Sequence, residues 1–302
     1  MDRLGAIRVL IRVVDEGSLS EAARQLGMPL STVSRQVSAL ESSLGARLLS
    51  RSTRRLAMTD AGRDYVMTCR RILEDMDNAE RTVSGEYSSP RGELFISSPV
   101  VFGRLHLLPL IIQFLQQYPD IDVRLVQSDR VVDLLDEHVD VALRIGELPD
   151  SDLVAVPVGT LRRVVCGSPE YLSRYGTPNV LADLASHTCI VHEVKISSGN
   201  WSFDNWPRLD STSLRTRLRI NQVEAAIDAA EQGFGLVRVM RYQVAQAIQS
   251  SRLHEVLEDA EPPPLPINLV YPSQGVLPLK LRAFLDFARP RLRRLSTDGL
   301  LE

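Results

Sequence analysis

Residues 31–44, STVSRQVSALESSL, divide an α-helix into two opposed faces, and that division restricts the fold more than any other stretch of the chain. At about 100° per residue, Val33, Val37, Leu40 and Leu44 share one side, while Ser31, Arg35, Ser38 and Ser42 lie almost opposite. The first face suits a core; the second presents hydroxyls and a guanidinium outward. An ordinary surface helix has the same split, so the flanking residues decide its meaning. Upstream, Gly17-Ser18-Leu19-Ser20-Glu21 starts a helix, with Ser18 or Ser20 as cap and Glu21 placed to complete a capping box with Ser18. Ala22, Ala23 and Leu26 give that helix a small apolar face, and Gly27 ends it. Small alanines let a neighbouring helix cross closely, as a helix-turn-helix requires. Ile7, Leu10, Ile11 and Val14 mark the inward stripe of a helix before the pair. Three short helices on one apolar centre make a small unit that gains from a longer partner.

After Gly45, the order Arg47, Leu48, Leu49, Arg51, Arg54, Arg55, Leu56, Met58 predicts a short two-stranded wing with arginines at its tip. A helix face of arginine and hydroxyls suits the major groove, where arginine forks to guanine and small hydroxyls reach bases or phosphates. Wing arginines suit phosphates, which supply register and affinity rather than sequence choice. A solvated loop with surface ion pairs is the other reading of the arginine cluster. Residues 1–60 hold nine arginines against six acids, while the whole chain has a formal charge of −3. So modest an excess does not identify a DNA binder by itself.

Taken together, GSLSEAA from Gly17, VSRQVSALE from Val33, Leu44-Gly45 and MTDAG from Met58 resemble the N-terminal winged helix-turn-helix of LysR-type transcriptional regulators. The resemblance implies that Ser31, Thr32, Ser34, Arg35 and Gln36 face the groove and that Arg51, Arg54 and Arg55 touch the DNA backbone. Two positions depart from the family pattern. Pro29 stands where a serine is usual, at the start of the recognition helix; proline suits a first turn but offers a phosphate neither hydroxyl nor amide hydrogen. Leu49 replaces a commoner phenylalanine, a change expected to affect wing packing only.

Thr59 is placed to cap a long helix beginning near Asp60. Along it Val66, Cys69, Leu73, Met76, Glu80 and Val83 alternate three and four residues apart, a heptad seam with one polar interruption. Pairing two such helices would set two DNA readers side by side, their recognition helices about 34 Å apart on an operator of twofold symmetry. The competing reading packs the stripe on its own domain. The helix is expected to fade by Gly85, and Ser88-Ser89-Pro90-Arg91-Gly92 reads as a hinge.

Beyond Glu93, short apolar runs alternate with helical patterns. A strand at Leu94 precedes a helix over 103–118; a strand over 121–126 precedes a helix over 131–137 and then VALRIG from Val141. This order argues for a parallel sheet covered on both faces. The pattern restarts after Val158 with strands near Val164, over 189–192 and over 218–220, helices near Glu170 and over 222–232, and GLVRV from Gly235. INLVYP from Ile267 and a helix over 279–288 suit a return to the first sheet. Two α/β lobes joined by two crossings follow, the bilobed arrangement of periplasmic solute-binding proteins. The LysR-type resemblance continues more weakly in RIGELPDSDL from Arg144, GFG from Gly233 and VYP from Val270. The expected domains are 1–59 for DNA binding, 60–90 as dimerisation linker and hinge, and 91–302 for effector binding. Within the last, lobe I spans 91–162 plus 268–302 and lobe II spans 163–267.

Ligands of open parallel sheets sit beyond the carboxyl ends of strands, near helix N-termini. That rule selects Ser97 and Ser98, Ser128, Gly146 with Glu147, and Asn221 with Gln222 across the cleft, with Arg144 nearby on its strand. Simple helix capping competes for Ser98, and a local acid competes for Arg144. His192 ends a strand, where a satisfied structural histidine is the plainer reading. Met240 stands where the family has a proline, and its thioether suits either a pocket wall or core filling.

At 302 residues the chain can bury at least two cores. No stretch reaches the about 18–20 apolar residues of a bilayer span, and the start lacks a signal-peptide pattern. Three cysteines without a CxxC pair fit a reducing compartment. Redox sensing through Cys166 and Cys189 is the alternative to a small-molecule effector, and His187, Cys189 and His192 form an incomplete zinc set. No GxSxG elbow, Walker loop or HExxH is present to support an enzyme. The expectation is a cytoplasmic DNA-binding regulator, without cofactor, metal or membrane span. It binds operator DNA as a homodimer or homotetramer and takes a small carboxylate or aromatic acid between its lobes. By resemblance it also contacts RNA polymerase.

Overall fold

Local side-chain caps start three of the four helices of the N-terminal region. The computed structural model describes residues 2–52, 55–84, 89–130, 133–134, 137–149, 151–192, 201, 214–261, 263–273 and 277–297. These fall into two compact units, Met1–Ser88 and Ser89–Glu302.

In the first unit, α1 (Arg3–Asp15) is capped by the Asp2 carboxylate, which accepts from the Gly5 amide at 3.0 Å. Helix α2 (Leu19–Gln25) starts at Ser18, whose Oγ accepts from the Glu21 amide at 3.4 Å. Only half of the expected capping box forms, because the Glu21 carboxylate pairs with Arg24 instead. Helix α3 (Leu30–Leu44) starts at Pro29 with no side-chain cap and stops at Gly45, whose φ of +66° is the left-handed conformation glycine adopts freely. The three helices share a core of Ala6, Ile7, Leu10, Val13, Ala22, Ala23, Val33, Val37 and Leu40. The α1 stripe is rotated from the expected one: Val13 is buried, and Ile11 and Val14 are only partly so.

Strands β1 (Leu49–Ser52) and β2 (Arg55–Met58) pair antiparallel from Leu49↔Met58 to Ser52↔Arg55, forming the expected wing. Helix α4 (Asp60–Ser84) follows, with Thr59 Oγ1 accepting from the Gly62 amide at 3.0 Å. Its apolar stripe is shared out. Val66 and Cys69 are buried in the winged-helix core and Leu73 packs against it, while Ile72 and Met76 are exposed. The upper part of the expected heptad seam is therefore spent within the domain. The side chains of Glu80 and Val83, and Gly85 and Ser88 of the expected linker, lie outside the described residues.

The second unit contains two five-stranded sheets. One has the order β4-β3-β5-β12-β6, built from β3 (Gly92–Ser98), β4 (Ile121–Gln127), β5 (Val141–Ile145), β6 (Leu153–Leu161) and β12 (Leu265–Pro272). The other, from β7 (Arg163–Gly167), β8 (Cys189–His192), β9 (Thr216–Ile220), β10 (Leu236–Met240) and β11 (His254–Val256), has the order β11-β7-β10-β8-β9. Both are mixed, which corrects the expectation of a parallel sheet. β3, β4 and β5 run parallel, as do β8, β9 and β10, while β6, β7, β11 and β12 pair antiparallel. The long strands β6 and β12 lie side by side where the chain leaves the first sheet and returns to it, so they necessarily run in opposite senses.

Residues Val100–Gln117 form one continuous helical stretch: α5 (Val100–Phe102), a π turn (Gly103–Leu107) and α6 (Leu108–Gln117). By length and composition it could cross a bilayer, which corrects the expectation that no stretch could, yet Val101, Phe102, Leu107, Leu110, Ile111 and Phe114 are buried in the core of this unit. That core also takes up α10 (Leu279–Thr297), whose Phe284 ring meets Phe114 edge-on at 5.3 Å. Pro290 does not end α10, which runs nine residues past the expected stop at 288. On the second sheet lie α7 (Pro169–Tyr175), α8 (Val223–Glu231) and α9 (Arg241–Gln249). The helix expected over 131–137 falls partly outside the described residues; Leu134 and His138 there are turn residues.

Candidate functional site

The DNA-reading face expected on α3 follows the helix geometry at most of its positions. Val33, Val37 and Leu40 are buried, and Ser31, Arg35 and Ser42 are exposed on the opposite side. Among the described residues Arg35 enters no ion pair. Thr32 and Ser34 are half-buried at the margins of that face. Gln36 is different: it lies beside the apolar stripe, and its Oε1 is buried without a hydrogen-bond partner. Pro29 O accepts from the Thr32 and Val33 amides at 2.9 and 3.2 Å. The amides of Leu30 and Ser31 precede these bonds, so the first turn keeps donors suited to a phosphate.

The wing is fastened to α3 by a residue that spacing alone did not select. Glu41 Oε1 accepts from the amides of both Leu48 and Leu49, at 2.8 and 3.0 Å. Thr59 Oγ1 donates to Arg47 O at 2.7 Å, tying the far strand to the same segment. Arg51 and Arg55 occupy the wing strands, one residue from its tip at Ser52 and opposite Ser52 respectively. Arg54 lies outside the described residues, as do the side chains of Arg51 and Arg55.

In the second unit, every expected effector residue except Arg144 stands at the carboxyl end of a parallel strand. Ser97 and Ser98 end β3, Ser128 follows β4, Gly146 and Glu147 follow β5, and Asn221 with Gln222 follows β9. Ser97 and Ser98 are 1% exposed, and neither hydroxyl has a hydrogen-bond partner. Neighbours on a strand face opposite ways: Ser98 shares the side of Leu94 and Ile96, Ser97 that of Phe95 and Ala142. One ligand group bonded by both at once is therefore not the arrangement. Arg144 lies on the Ser97 side, where burial lowers its pKa and Glu137 opposes that shift. Gly146 adopts φ +107° to turn the chain, and its amide donates to Pro266 O at 2.9 Å. Glu147, Asn221 and Gln222 are exposed.

Residues outside the expected set connect the two lobes. Tyr242, at the start of α9, packs edge-on against Phe102 with ring centroids 5.5 Å apart and stands 5.6 Å from His106. Burial pushes its phenol well above the ordinary range. Asp129 Oδ1 accepts from the Val100 amide at 3.1 Å. Its charge acts on both His192 and Tyr242, so it stands among groups of the other lobe. Arg104 and Glu224 form a further ion pair between lobes. His192 is buried and held below the ordinary histidine value, chiefly by desolvation. Met240 precedes this cluster as the last residue of β10, half-buried against the core. No periodicity singles out Asp129, His106 or Tyr242, because their roles depend on segments far apart in sequence.

Redox pairing of Cys166 with Cys189 is excluded by register. Val237 aligns with both Cys166 and Ile190, whereas Cys189 aligns with Leu236, so the two thiols occupy opposite faces of the sheet. Both are fully buried, and burial drives both thiol pKa values up, that of Cys189 to about 12. Such thiols hold little of the thiolate that oxidation needs. His187 Nδ1 lies 3.2 Å from the Tyr171 hydroxyl, on the face of the sheet away from His192. Among the described residues no group of three potential ligands could hold a metal ion.

Comparison with known proteins gives the same two-part division. Residues 4–63 match the family described as bacterial regulatory helix-turn-helix protein, lysR family, and residues 88–293 match the LysR substrate binding domain. An HTH-type transcriptional repressor of Pseudomonas aeruginosa (strain UCBPP-PA14) is 31% identical over 290 residues, covering 95% of this chain and 91% of its own. The HTH-type transcriptional activator AaeR of Escherichia coli (strain K12) is 32% identical over 289 residues, covering 95% and 93%. The solved structure of CrgA, a LysR-type transcriptional regulator from Neisseria meningitidis, is 35% identical with a TM-score of 0.59, covering 95% of this chain and 98% of that one.

Proposed function

The chain belongs to the LysR-type transcriptional regulators, and from that premise we propose how it reads DNA and what it senses. It is a DNA-binding regulator with an effector-binding domain. Helix α3 enters the major groove with Ser31, Thr32, Ser34 and Arg35 toward the bases, while Gln36 lies at the margin of that face. Arg51, Arg54 and Arg55 of the wing hold phosphates. Residues 60–90 pair two chains, so that a dimer, or a tetramer of two dimers, spans a twofold operator. A small carboxylate or aromatic acid binds between the lobes of 91–302 against Ser98, Ser128, Asn221 and Gln222. Its differential affinity for two lobe orientations changes how the assembly holds DNA and meets RNA polymerase. The protein works in the cytoplasm, where its operator is.

One observation carries the DNA reading: Arg35 is exposed, directly opposite the buried Val33, Val37 and Leu40. The test compares Arg35→Ala with the parent chain on selected genomic operator fragments and on their single-base variants. Loss of about 1–3 kcal/mol on the preferred fragment, with relaxed preference at one base pair, is the expected result. Equal loss on every fragment would make Arg35 a phosphate contact and remove it from base reading.

A further inference from the structure

A helix whose first amides lack partners is a ready seat for an acid, and the stretch Val100–Gln117 begins at the carboxyl end of β3, where such a seat is expected. In this chain the seat is already taken by the protein itself. The Val100 amide, the first of that stretch, donates to Asp129 Oδ1 at 3.1 Å. Beside these groups the Ser98 hydroxyl, 1% exposed, makes no hydrogen bond. It lies against the same turn: a β-carbon on Gly103 would come within 2.2 Å of Ser98 Oγ and 2.6 Å of Gln127 Nε2. A buried hydroxyl with no partner is unfavourable, and a ligand that bonds it relieves the penalty.

We infer that Asp129 is an internal substitute for the effector's acid group, filling the anion seat at the start of this helix, and that an acidic effector enters by displacing it. The inference rests on the reading of this cleft as acid-binding and adds how the site is regulated. A second carboxylate placed next to the first would meet its like charge, so exchange is favoured over addition. Ser128 is pinned, its amide donating to Ser98 O at 2.9 Å, and Asp129 is the next residue. The same carboxylate acts on His192 and Tyr242 of the other lobe. Removing it from the Val100 amide therefore alters what the first lobe presents to the second. An effector that replaces Asp129 binds the two arrangements unequally, which is the requirement for a switch.

The test uses calorimetric titration of the full chain, with sodium acetate and sodium benzoate as acid probes and benzylamine as the cationic control. Wild type is compared with Asp129→Asn, which keeps an oxygen for the Val100 amide, and with Asp129→Ala, which empties the position. Circular dichroism melts verify folding. The expected result is a gain of about tenfold or more in acid affinity in both variants, with benzylamine indifferent. Equal acid affinity in all three proteins would overturn the displacement while leaving the acid-binding reading intact. Benzylamine binding that is tight in wild type and lost in Asp129→Asn would make Asp129 a direct ligand for a cation and overturn it too. Acid binding by none of the three would remove the acid-binding reading along with the inference.

Discussion

Gly62 shows how a single residue is fixed by a contact that no local pattern displays. A β-carbon there would stand 2.0 Å from the Leu48 carbonyl oxygen and 2.8 Å from its carbon. That oxygen cannot retreat easily, since it accepts from the Thr59 amide at 3.0 Å and from Thr59 Oγ1 at 3.2 Å. Gly62→Ala is therefore expected to destabilise the winged helix by about 1–3 kcal/mol, as overpacking does. Denaturant unfolding of the N-terminal unit checks it, with operator affinity falling only as far as the folded fraction falls. An unchanged midpoint would mean that the wing shifts at little cost. The sequence shows Gly62 merely as the end of MTDAG, because its partner lies in another element. Ser18, Gly45 and Thr59 are legible because a cap and the amide it serves sit within a few residues. Glu41 is not, since it serves amides seven and eight residues away across a turn.

Among the elements, α4 marks the boundary of what periodicity tells. Its three-four spacing announces an apolar stripe but not the surface that covers it. Val66 and Cys69 belong to the winged-helix core, and ion pairs Arg8–Asp77 and Arg70–Asp15 hold the same stretch of helix to α1. Ile72 and Met76, 48% and 38% exposed and four residues apart, form one face available to a second chain. Burying each side chain in a paired helix contributes about 1.5–3 kcal/mol. If residues 60–90 pair two chains as proposed, the double substitution Ile72→Glu with Met76→Glu is expected to leave monomers at concentrations where the parent chain sediments as a dimer. A variant that stays dimeric would assign pairing to another surface. The sheets teach a related lesson. Strand–helix alternation located β3, β4, β5, β8, β9 and β10 and so the strand ends that carry the candidate site. The antiparallel strands β6 and β12 were harder, because an apolar run states nothing about the direction in which it will pair.

At the scale of the molecule, the two units differ in how they should answer to acid. All five histidines fall after residue 88, so protonation of imidazole bears on the second unit alone. His106, His187 and His192 are each held below the histidine reference of 6.5, with desolvation the largest cause. Asp183 opposes the shift at His187, and Asp129 with the Asn221 carbonyl opposes it at His192. A histidine kept neutral in the folded state is protonated in the unfolded chain just below pH 6.5, so the unfolded chain binds more protons there. Stability is complete above 6.5 and declines as pH falls from 6.5 toward each depressed value. Scanning calorimetry of the full chain between about pH 7.5 and about pH 5.5 should show the transition of residues 89–302 moving down, while that of the histidine-free unit changes little. The sign follows from burial: an effector that bonded these imidazoles in their charged form would reverse it, and the same scan would then find the second unit more resistant in acid. Equal movement of both transitions would instead mean that the units melt as one, against the division their contacts show.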